Sequence, residues 1–530
     1  MSILKLRLLF ALFIVFISLG IRFYRFSDQW DVFGDAGRDQ IVGWGAVSLH
    51  QLPMVGSFSS SGAFVFGPLY YWFIAACYKI FPAIPASPQL FFRLLLLLPI
   101  IFLWKAGQIA GGRRLAVILA LLIATSPATV ERTTSMTHHA LVTVTSTLFM
   151  WLFFLYIRSQ AQITTRKRRL LLAFAMGMAF GLGFNIHFQA LNLWPVFVVY
   201  LILNRFAIWR IWPEIVAIVV GFVLPNLAYF WWDATVNGWA NLRNFLDYLL
   251  IAGERRYVPN RWLSYLFKFW PELWSSVIGG FSIFGYALPL LVAATWLWQV
   301  WKKNLNRYIF WLGIIFIINI VVLRYYRGEV FLGYFLIFHP FILIFSAWAI
   351  ALWYSISRIG TLIFLAAIVI VNLWMGWQIL EQDVNRGQVD QAQATVKKLS
   401  SLFPNRTFTP YIYGDSPEDR TYGMIIMLAH EGLLSENGKP IGVCKLDCPP
   451  EYLLLLTQDY REQLAFVDLE GLDLEAINRA NASRIPPWPP WQKLTIQTVY
   501  DDVALWWEKK PLTSSFSLKK YLLGTLGFHQ

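Results

Sequence analysis

Asp35-Ala36-Gly37-Arg38-Asp39 follows the first apolar segment of the chain, and Gly67-Pro68-Leu69-Tyr70 opens the next one. Around these two stretches the 530 residues are 57% hydrophobic and only 14% charged, whereas soluble proteins carry about 25% charged residues. This composition predicts a polytopic α-helical membrane protein. The net charge of +14 fits Lys and Arg in cytoplasmic loops better than nucleic-acid binding, because no nucleic-acid recognition motif accompanies it.

Apolar stretches, oriented so that Lys and Arg lie inside, predict roughly 11 transmembrane helices within residues 1–380. The predicted spans are 6–21, 90–105, 115–130, 140–157, 170–185, 191–204, 212–231, 276–301, 308–323, 331–354 and 360–379. The outer-face loops are then 22–89, 232–275 and 324–330. Residues 68–82 are apolar but short, and we expect a surface or re-entrant helix there.

The composition changes at residue 381, where Asp, Glu, Asn and Pro become frequent. Residues 381–530 are long enough for a small independent domain. Alternation at 408–413 and 494–500 and the apolar run 452–456 predict strands, and 417–434 predicts a helix. We therefore expect a small extracytoplasmic α/β domain, in which Cys444 and Cys448 can pair if they meet an oxidising compartment.

Acidic residues next to a membrane are costly unless they face water or a partner. Asp35 and Asp39 are four residues apart, so in a helix they share one face with Arg38. A carboxylate here can act as general base on an acceptor hydroxyl or bind a divalent cation. The spacing alone fits equally well an Asp-capped helix start with a surface Asp–Arg pair.

Several basic residues are expected at the same face. Arginine matches two phosphate oxygens at once, so these side chains can hold the phosphate of a lipid donor, although contact with lipid headgroups is the simpler alternative. The candidates for phosphate or donor binding are Arg38, Arg255, Arg256, Arg324, Arg327 and Tyr325. His138, His139 and His187 lie at helix ends, as interfacial hydrogen-bonding groups or metal ligands.

The order and spacing of these motifs resemble the C-type membrane glycosyltransferases of the dolichyl-phosphate-mannose–protein mannosyltransferase family, which includes the lipid A aminoarabinose transferase. Members carry one apolar helix, an acidic pair, and later a Pro-Leu-aromatic motif usually preceded by Lys-Pro. Asp35 falls at the acidic position with Ala36 at the second, and Gly67 replaces the usual Pro. Glu131-Arg132-Thr133 and Gly333-Tyr334-Phe335-Leu336 resemble two later segments, the second of which lines the donor cavity.

The resemblance implies transfer of a sugar from a polyprenyl-phosphate donor to a glycan, lipid or protein acceptor, in the cell membrane and at its extracytoplasmic face. Asp35 would be the general base, with Asp39 as its alternative, and arginines would hold the lipid phosphate. No cofactor is expected. A divalent cation stays an alternative, but the resemblance does not support it, because this chain has Thr137-His138-His139 where many members place an Asp in the second outer loop. The alternatives are a flippase of lipid-linked intermediates and a non-catalytic envelope assembly protein.

Overall fold

The computed structural model describes residues 3–382 except 33, 60–61, 83, 162–164, 251–261 and 327–331. Beyond 382 it describes residues 393–394, 396–397, 400–401, 407–413, 421–431, 451–456, 465–467, 491–493 and 500. Cys444 and Cys448 lie outside the described residues. So do most residues of the predicted strand 494–500.

Within this part of the chain, seven helical segments are long and apolar enough to cross a membrane. They are Ser87–Thr125, His138–Gln160, Arg166–Ile186, Ile208–Thr235, Ser282–Trp301, Leu332–Trp353 and Arg358–Glu381. Three shorter apolar helices are Leu12–Phe23, Phe188–Leu203 and Arg307–Leu323. The protein is therefore a multi-pass membrane protein, and the exact number of spans stays a prediction.

The helices follow the chain in one series, several of them separated by single 3-10 turns. The first nine α-helices are α1 Ile3–Phe23, α2 Gly34–Ser48, α3 Leu69–Ile80, α4 Ser87–Leu95, α5 Leu98–Thr125, α6 Pro127–Thr134, α7 Val142–Ala161, α8 Arg166–Ile186 and α9 Trp194–Leu203. The next nine are α10 Ile208–Val223, α11 Leu227–Thr235, α12 Ala240–Leu250, α13 Trp262–Ser264, α14 Trp270–Val277, α15 Ser282–Trp301, α16 Arg307–Leu323, α17 His339–Trp353 and α18 Arg358–Glu381. The 3-10 turns are Phe26–Gln29, His138–Leu141, Phe188–Leu193, Leu224–Asn226 and Leu332–Phe338, and Tyr265–Phe269 is a π-helical turn.

Helix α5 reverses direction at Gly111 and Gly112, where the backbone leaves helical geometry and Gly112 takes φ 72°. A Cβ on Gly107 would lie 2.7 Å from the Cα of Ala116, an approach that a straight helix of this spacing cannot make. The turn divides α5 where the sequence predicts a loop between spans 90–105 and 115–130.

The structure adds detail to one predicted loop and shifts the boundary of one predicted span. The predicted outer loop 232–275 is largely helical where it is described, because α12 and α14 lie within it. The predicted span 276–301 begins only at Ser282, since Gly279 and Gly280 take positive φ values of 86° and 69°. The amide of Gly279 donates to Asn372 Oδ1 over 2.7 Å, which holds this turn against α18.

Helix α3 is too short to cross a bilayer. Its 12 residues extend about 18 Å at 1.5 Å per residue, against a hydrocarbon core of about 30 Å. Tyr70, Tyr71 and Ile74 are nevertheless buried on it. The length agrees with the expected surface or re-entrant helix at 68–82.

A buried polar network surrounds the segment that precedes α2. Arg93 donates to the carbonyl of Gln29 over 3.1 Å, and the Gln89 amide donates to the same carbonyl over 2.7 Å. Asp31 accepts from the Met136 amide through Oδ2 over 2.9 Å. Buried charged groups persist where they have partners, and these contacts hold the segment before α2 against α4 and the segment before α7.

Helices α8 and α10 pack at close range through glycine. A Cβ on Gly177 would overlap the carbonyl oxygen of Ile218, and a Cβ on Gly221 would overlap that of Phe174. Small residues let membrane helices approach closely in this way.

We expect Gly177→Ala to lower the free energy of unfolding by about 1–3 kcal/mol, the usual cost of overpacking a core. The measurement is thermal unfolding of the detergent-solubilised protein. Gly20→Ala is the matched control, because a Cβ there meets nothing within 4 Å. Equal stability of the two variants would contradict the close packing of α8 on α10.

Beyond residue 381 the described elements include a four-stranded sheet and one helix. The strands are β1 Thr407–Tyr413, β2 Glu451–Leu456, β3 Ala465–Val467 and β4 Trp491–Lys493, in the order β3-β2-β1-β4. β1 pairs in parallel with β2, and the other pairs are antiparallel. Helix α19 is Thr421–His430. The strands expected at 408–413 and 452–456 are present, whereas the extent of a separate domain stays a prediction.

Helix α19 packs on α2. Ile425, Leu428 and Ala429 are buried in the same apolar core as Trp44, whose ring lies 6.3 Å from that of His430. Tyr500 adds a hydrogen bond of 2.7 Å to the carbonyl of Gln51. The C-terminal part of the chain thus covers the helix that carries Asp35 and Asp39.

Candidate active site

The first turns of α2 place three charged side chains together. Arg38 donates from Nη1 to Asp35 Oδ1 over 2.6 Å, and from Nη2 and Nε to Asp39 Oδ1 over 2.8 and 3.0 Å. Its guanidinium also lies 5.0 Å from the centre of the Phe58 ring. The predicted shared helix face is present, and Arg38 is held between two carboxylates.

The two carboxylates differ in exposure. The Asp35 side chain is 67% exposed, whereas that of Asp39 is 1% exposed. Asp39 Oδ1 also accepts from the Tyr71 hydroxyl over 2.9 Å, and its Oδ2 is buried without a hydrogen-bond partner. Asp35 is therefore the carboxylate that is open to solvent, and Asp39 contacts Arg38 from the buried side.

Burial raises the pKa of Asp39 from its ordinary 3.8 to about 6, although the adjacent Arg38 cation opposes the shift. Desolvation penalises the charged form of a carboxylate, and the nearby cation recovers only part of that cost. At neutral pH Asp39 is still mostly ionised and can keep Arg38 in place.

This shift predicts the pH dependence of stability. Because the folded pKa lies above the unfolded one, the folded state binds the proton more tightly, and stability falls as the pH rises from about 4 to about 6. Relative to the Asp39→Asn variant, the free energy of unfolding of the wild type should fall by about 3 kcal/mol over this range, because each unit of pKa difference corresponds to about 1.4 kcal/mol. The measurement is thermal unfolding of both proteins across this pH range. Parallel curves for the two proteins would contradict the shift.

The second motif is locked to the end of α8. The Gly67 amide donates to the Asn185 carbonyl over 2.8 Å, and the Leu69 amide to Asn185 Oδ1 over 3.0 Å. A Cβ on Gly67 would overlap the Asn185 side chain, so a larger residue here would displace that side chain. Tyr70 donates its hydroxyl to the Met136 carbonyl over 2.7 Å. The motif thereby ties α3 to both α8 and the turn before α7.

Three histidines meet beside this motif. The ring centres of His138 and His139 lie 4.7 Å apart, and that of His187 lies 5.6 and 5.8 Å from them. The Phe66 ring stacks on His187 at 4.6 Å. Burial lowers the pKa of His187 well below its ordinary value, so this ring is neutral at physiological pH. His139 interacts electrostatically with Asp35, and His138 with Arg38, which places the histidines next to the charged cluster.

His187 also lies in the wall of a largely aromatic cavity of about 480 Å³. The predicted donor-site residues Tyr325 and Tyr334 both line it, and Tyr334 stacks on His187 at 5.2 Å. Tyr248 and Tyr326 also line it, with their hydroxyls 3.3 Å apart. An apolar volume with a few polar groups at its edge is the usual form of a ligand site.

The predicted arginines are only partly placed. Arg324 is 2% exposed and lies 5.1 Å from the centre of the Trp262 ring. Arg255, Arg256 and Arg327 lie outside the described residues. The part of the site that the structure describes thus contains Arg38 beside Asp35, and Arg324 near the cavity residue Tyr325.

Sequence reasoning missed the cavity wall formed by Phe64, Phe188 and Phe245. Phe64 stacks on Phe188 at 5.7 Å and meets Phe245 edge-on at 5.4 Å. These residues come from three distant segments. Aromatic residues are also frequent at membrane interfaces. The local sequence therefore does not show whether such a residue lines a cavity or lies at the interface.

Comparison with known proteins addresses the predicted resemblance. Residues 66–231 match the family described as dolichyl-phosphate-mannose-protein mannosyltransferase. The resemblance is confirmed. The match includes the Gly67-Pro68-Leu69-Tyr70 motif, the three histidines and α10, although Asp35 lies outside it. No curated protein matches the sequence.

Two solved structures of an aminoarabinose transferase, ArnT, have a fold similar to that of this chain. ArnT from Cupriavidus metallidurans bound to undecaprenyl phosphate is 14% identical, with a TM-score of 0.55 over 81% of this chain and 86% of that one. The same ArnT in the apo state gives 14% identity and a TM-score of 0.54 over 79% and 84%. At this identity the likeness establishes an ArnT-like fold and leaves the substrates open.

Proposed function

We propose that this protein transfers a sugar from a polyprenyl-phosphate-linked donor to an acceptor hydroxyl at the extracytoplasmic face of the membrane. The observation that carries the proposal is the aromatic cavity, within an ArnT-like fold. Ser59 lies in its wall, and the ring of the preceding residue, Phe58, lies 5.0 Å from the Arg38 guanidinium. An isoprenoid chain is apolar and its phosphate is anionic, so the donor needs an apolar volume next to cationic groups. The ArnT structure that this chain resembles was determined with undecaprenyl phosphate bound.

In the proposed reaction Asp35 accepts the proton of the acceptor hydroxyl. The acceptor oxygen forms a bond to the anomeric carbon of the sugar while the bond from that carbon to the phosphate oxygen breaks. The polyprenyl phosphate leaves with the bonding electron pair, and cationic groups stabilise its charge. Arg38 is the described cation at Asp35, and Arg324, Arg255, Arg256 and Arg327 remain proposed phosphate ligands.

Asp39 is a positioning residue in this scheme. It contacts Arg38 and Tyr71 and is shielded from solvent, so a substrate does not reach it. Asp35 is exposed and can contact an acceptor directly. Of the two residues that the sequence proposes as general base, Asp35 and Asp39, we therefore assign the role to Asp35. The region beyond residue 381 contains α19, which packs on α2. This region is the part of the protein that we propose faces the acceptor.

The test is transfer of labelled sugar by the purified protein in lipid nanodiscs. Each assay contains a polyprenyl-phosphate sugar and a panel of envelope acceptors, with nucleotide sugars as the parallel donor set. We expect product only with the lipid-linked donors. Movement of donor between leaflets without product would instead support the flippase alternative, and binding of envelope components without either would support an assembly role.

A further inference from the structure

The three clustered histidines are closer together than hydrogen bonding at the membrane interface requires. They are His138, His139 and His187. One ligand nitrogen from each ring lies within 4.8 Å of the other two. His138 Nε2 and His139 Nδ1 are buried and have no hydrogen-bond partner. A buried polar nitrogen without a partner is costly, and two of them on adjacent rings of one histidine cluster indicate a ligand that binds imidazole nitrogen.

We infer that His138, His139 and His187 form a binding site for a divalent transition-metal ion of the Zn²⁺ type. Imidazole nitrogen is a ligand for zinc, copper, iron and nickel, whereas Mg²⁺ and Ca²⁺ prefer oxygen. Three protein ligands with an open fourth position are the arrangement of catalytic rather than structural zinc. The site lies beyond the proposed glycosyl transfer, because metal binding is a property of the cluster whichever reaction the protein performs.

The required movement is small. Zinc–nitrogen bonds of about 2.0–2.1 Å in a tetrahedron place the ligand nitrogens about 3.4 Å apart, so the rings close by roughly an ångström from their present separations. His187 Nδ1 accepts from the Gln189 amide over 3.1 Å, and metal binding at this nitrogen exchanges that contact for the metal bond. His138 Nε2 and His139 Nδ1 have no hydrogen bond to lose.

The surroundings indicate what the fourth ligand is. His187 and the Tyr334 ring stacked on it both line the cavity, so an open position at His187 faces that volume. Arg38 and Arg132 are cationic neighbours of the cluster and Asp35 is its anionic one. A divalent ion added here leaves excess positive charge, which favours an anionic oxygen ligand. A phosphate oxygen has this chemistry; this last step rests on the proposed function.

The test measures metal without measuring transfer. Full-length protein is purified through a tag that lacks histidine, stripped with a chelator and titrated with Co²⁺, whose visible absorption reports tetrahedral coordination. We expect one equivalent per chain, displaced by Zn²⁺. His138→Gln and His187→Gln should each weaken binding at least about 100-fold, beyond the 10–100-fold that follows loss of a ligand's hydrogen-bond partner. His50→Asn and His430→Gln are the control substitutions and should bind as wild type does.

Absence of a stoichiometric site in wild type, or full binding by the triple His→Gln variant, would overturn the inference. X-ray absorption at the zinc edge of wild type covers the case in which the variants misfold: scattering from three imidazoles supports the site, and sulfur or all-oxygen ligation overturns it. Inorganic phosphate, then polyprenyl phosphate, is added to the Co²⁺ protein. A spectral change supports the anionic fourth ligand; no change with either overturns that ligand alone. Failure of sugar transfer leaves all these measurements unaffected.

Discussion

Asp35→Asn is expected to reduce sugar transfer from a polyprenyl-phosphate donor by about 10²–10⁴-fold, the usual contribution of a positioned general base. Asparagine keeps the size of the side chain and can still accept a hydrogen bond from Arg38, but it cannot take the proton of the acceptor hydroxyl. Because Asp35 is largely exposed, the substitution should leave the thermal midpoint nearly unchanged. The measurement is the initial rate of transfer at saturating donor, with protein amounts matched.

Asp28→Asn is the matched control. Asp28 pairs with Arg25 over 2.9 Å at the same three-residue separation that joins Asp35 to Arg38. The Asp28→Asn substitution therefore also removes one carboxylate from an Asp–Arg pair, and it changes no residue that lines the cavity. Equal rates for Asp35→Asn and Asp28→Asn would remove Asp35 from the reaction and leave the glycosyltransferase proposal without its base.

Arg38→Met is expected to damage both stability and transfer. It leaves the buried Asp39 carboxylate without its cation, and breaking a buried pair from one side costs about 3–5 kcal/mol. Asp39 can limit this cost by taking up a proton, since its pKa is already about 6. Loss of a cation at the reacting centre should lower the transfer rate by about 10²–10³-fold. Thermal unfolding and initial rates measure the two effects separately.

The double variant Arg38→Met/Asp39→Asn separates the two effects. Removing both charges leaves no unpaired buried ion, because the remaining Asp35 carboxylate is exposed, so most of the stability should return while transfer stays low. Arg25→Met is the control, because Arg25 also lies between two carboxylates, Asp28 at 2.9 Å and Glu381 at 3.3 Å. If the double variant recovered transfer together with stability, Arg38 would be a structural residue only.

The charged cluster could be predicted from local spacing, because a four-residue separation places Asp35 and Asp39 on one helix face whatever surrounds them. What spacing could not predict is that the two carboxylates differ. Asp39 is buried because Tyr71, on a separate helix, packs against it, and burial by a distant segment leaves no mark in the local pattern. The apolar spans were predictable for the same local reason, since length and hydropathy are properties of one stretch.

The histidine cluster is the clearest case of information that only the fold contains. His138 and His139 precede α7 and His187 follows α8, so their meeting depends on how these two helices pack. Sequence reasoning placed all three at helix ends but had no reason to bring them together. Likewise Tyr325 and Tyr334 were predicted donor residues, while their cavity partners Phe64 and Phe245 carried no signal in the sequence.

The packing of α19 on α2 has a consequence for synthesis. A ribosome adding about 5–20 residues per second needs on the order of 20–75 s between finishing α2 and reaching α19. Trp44, which is 3% exposed in the finished protein, lacks this neighbour for the whole interval. Lipid or a chaperone must shield that face in the meantime. A chain that terminates before residue 421 never acquires the cover, so early truncation should impair the protein even when every span and Asp35 are present.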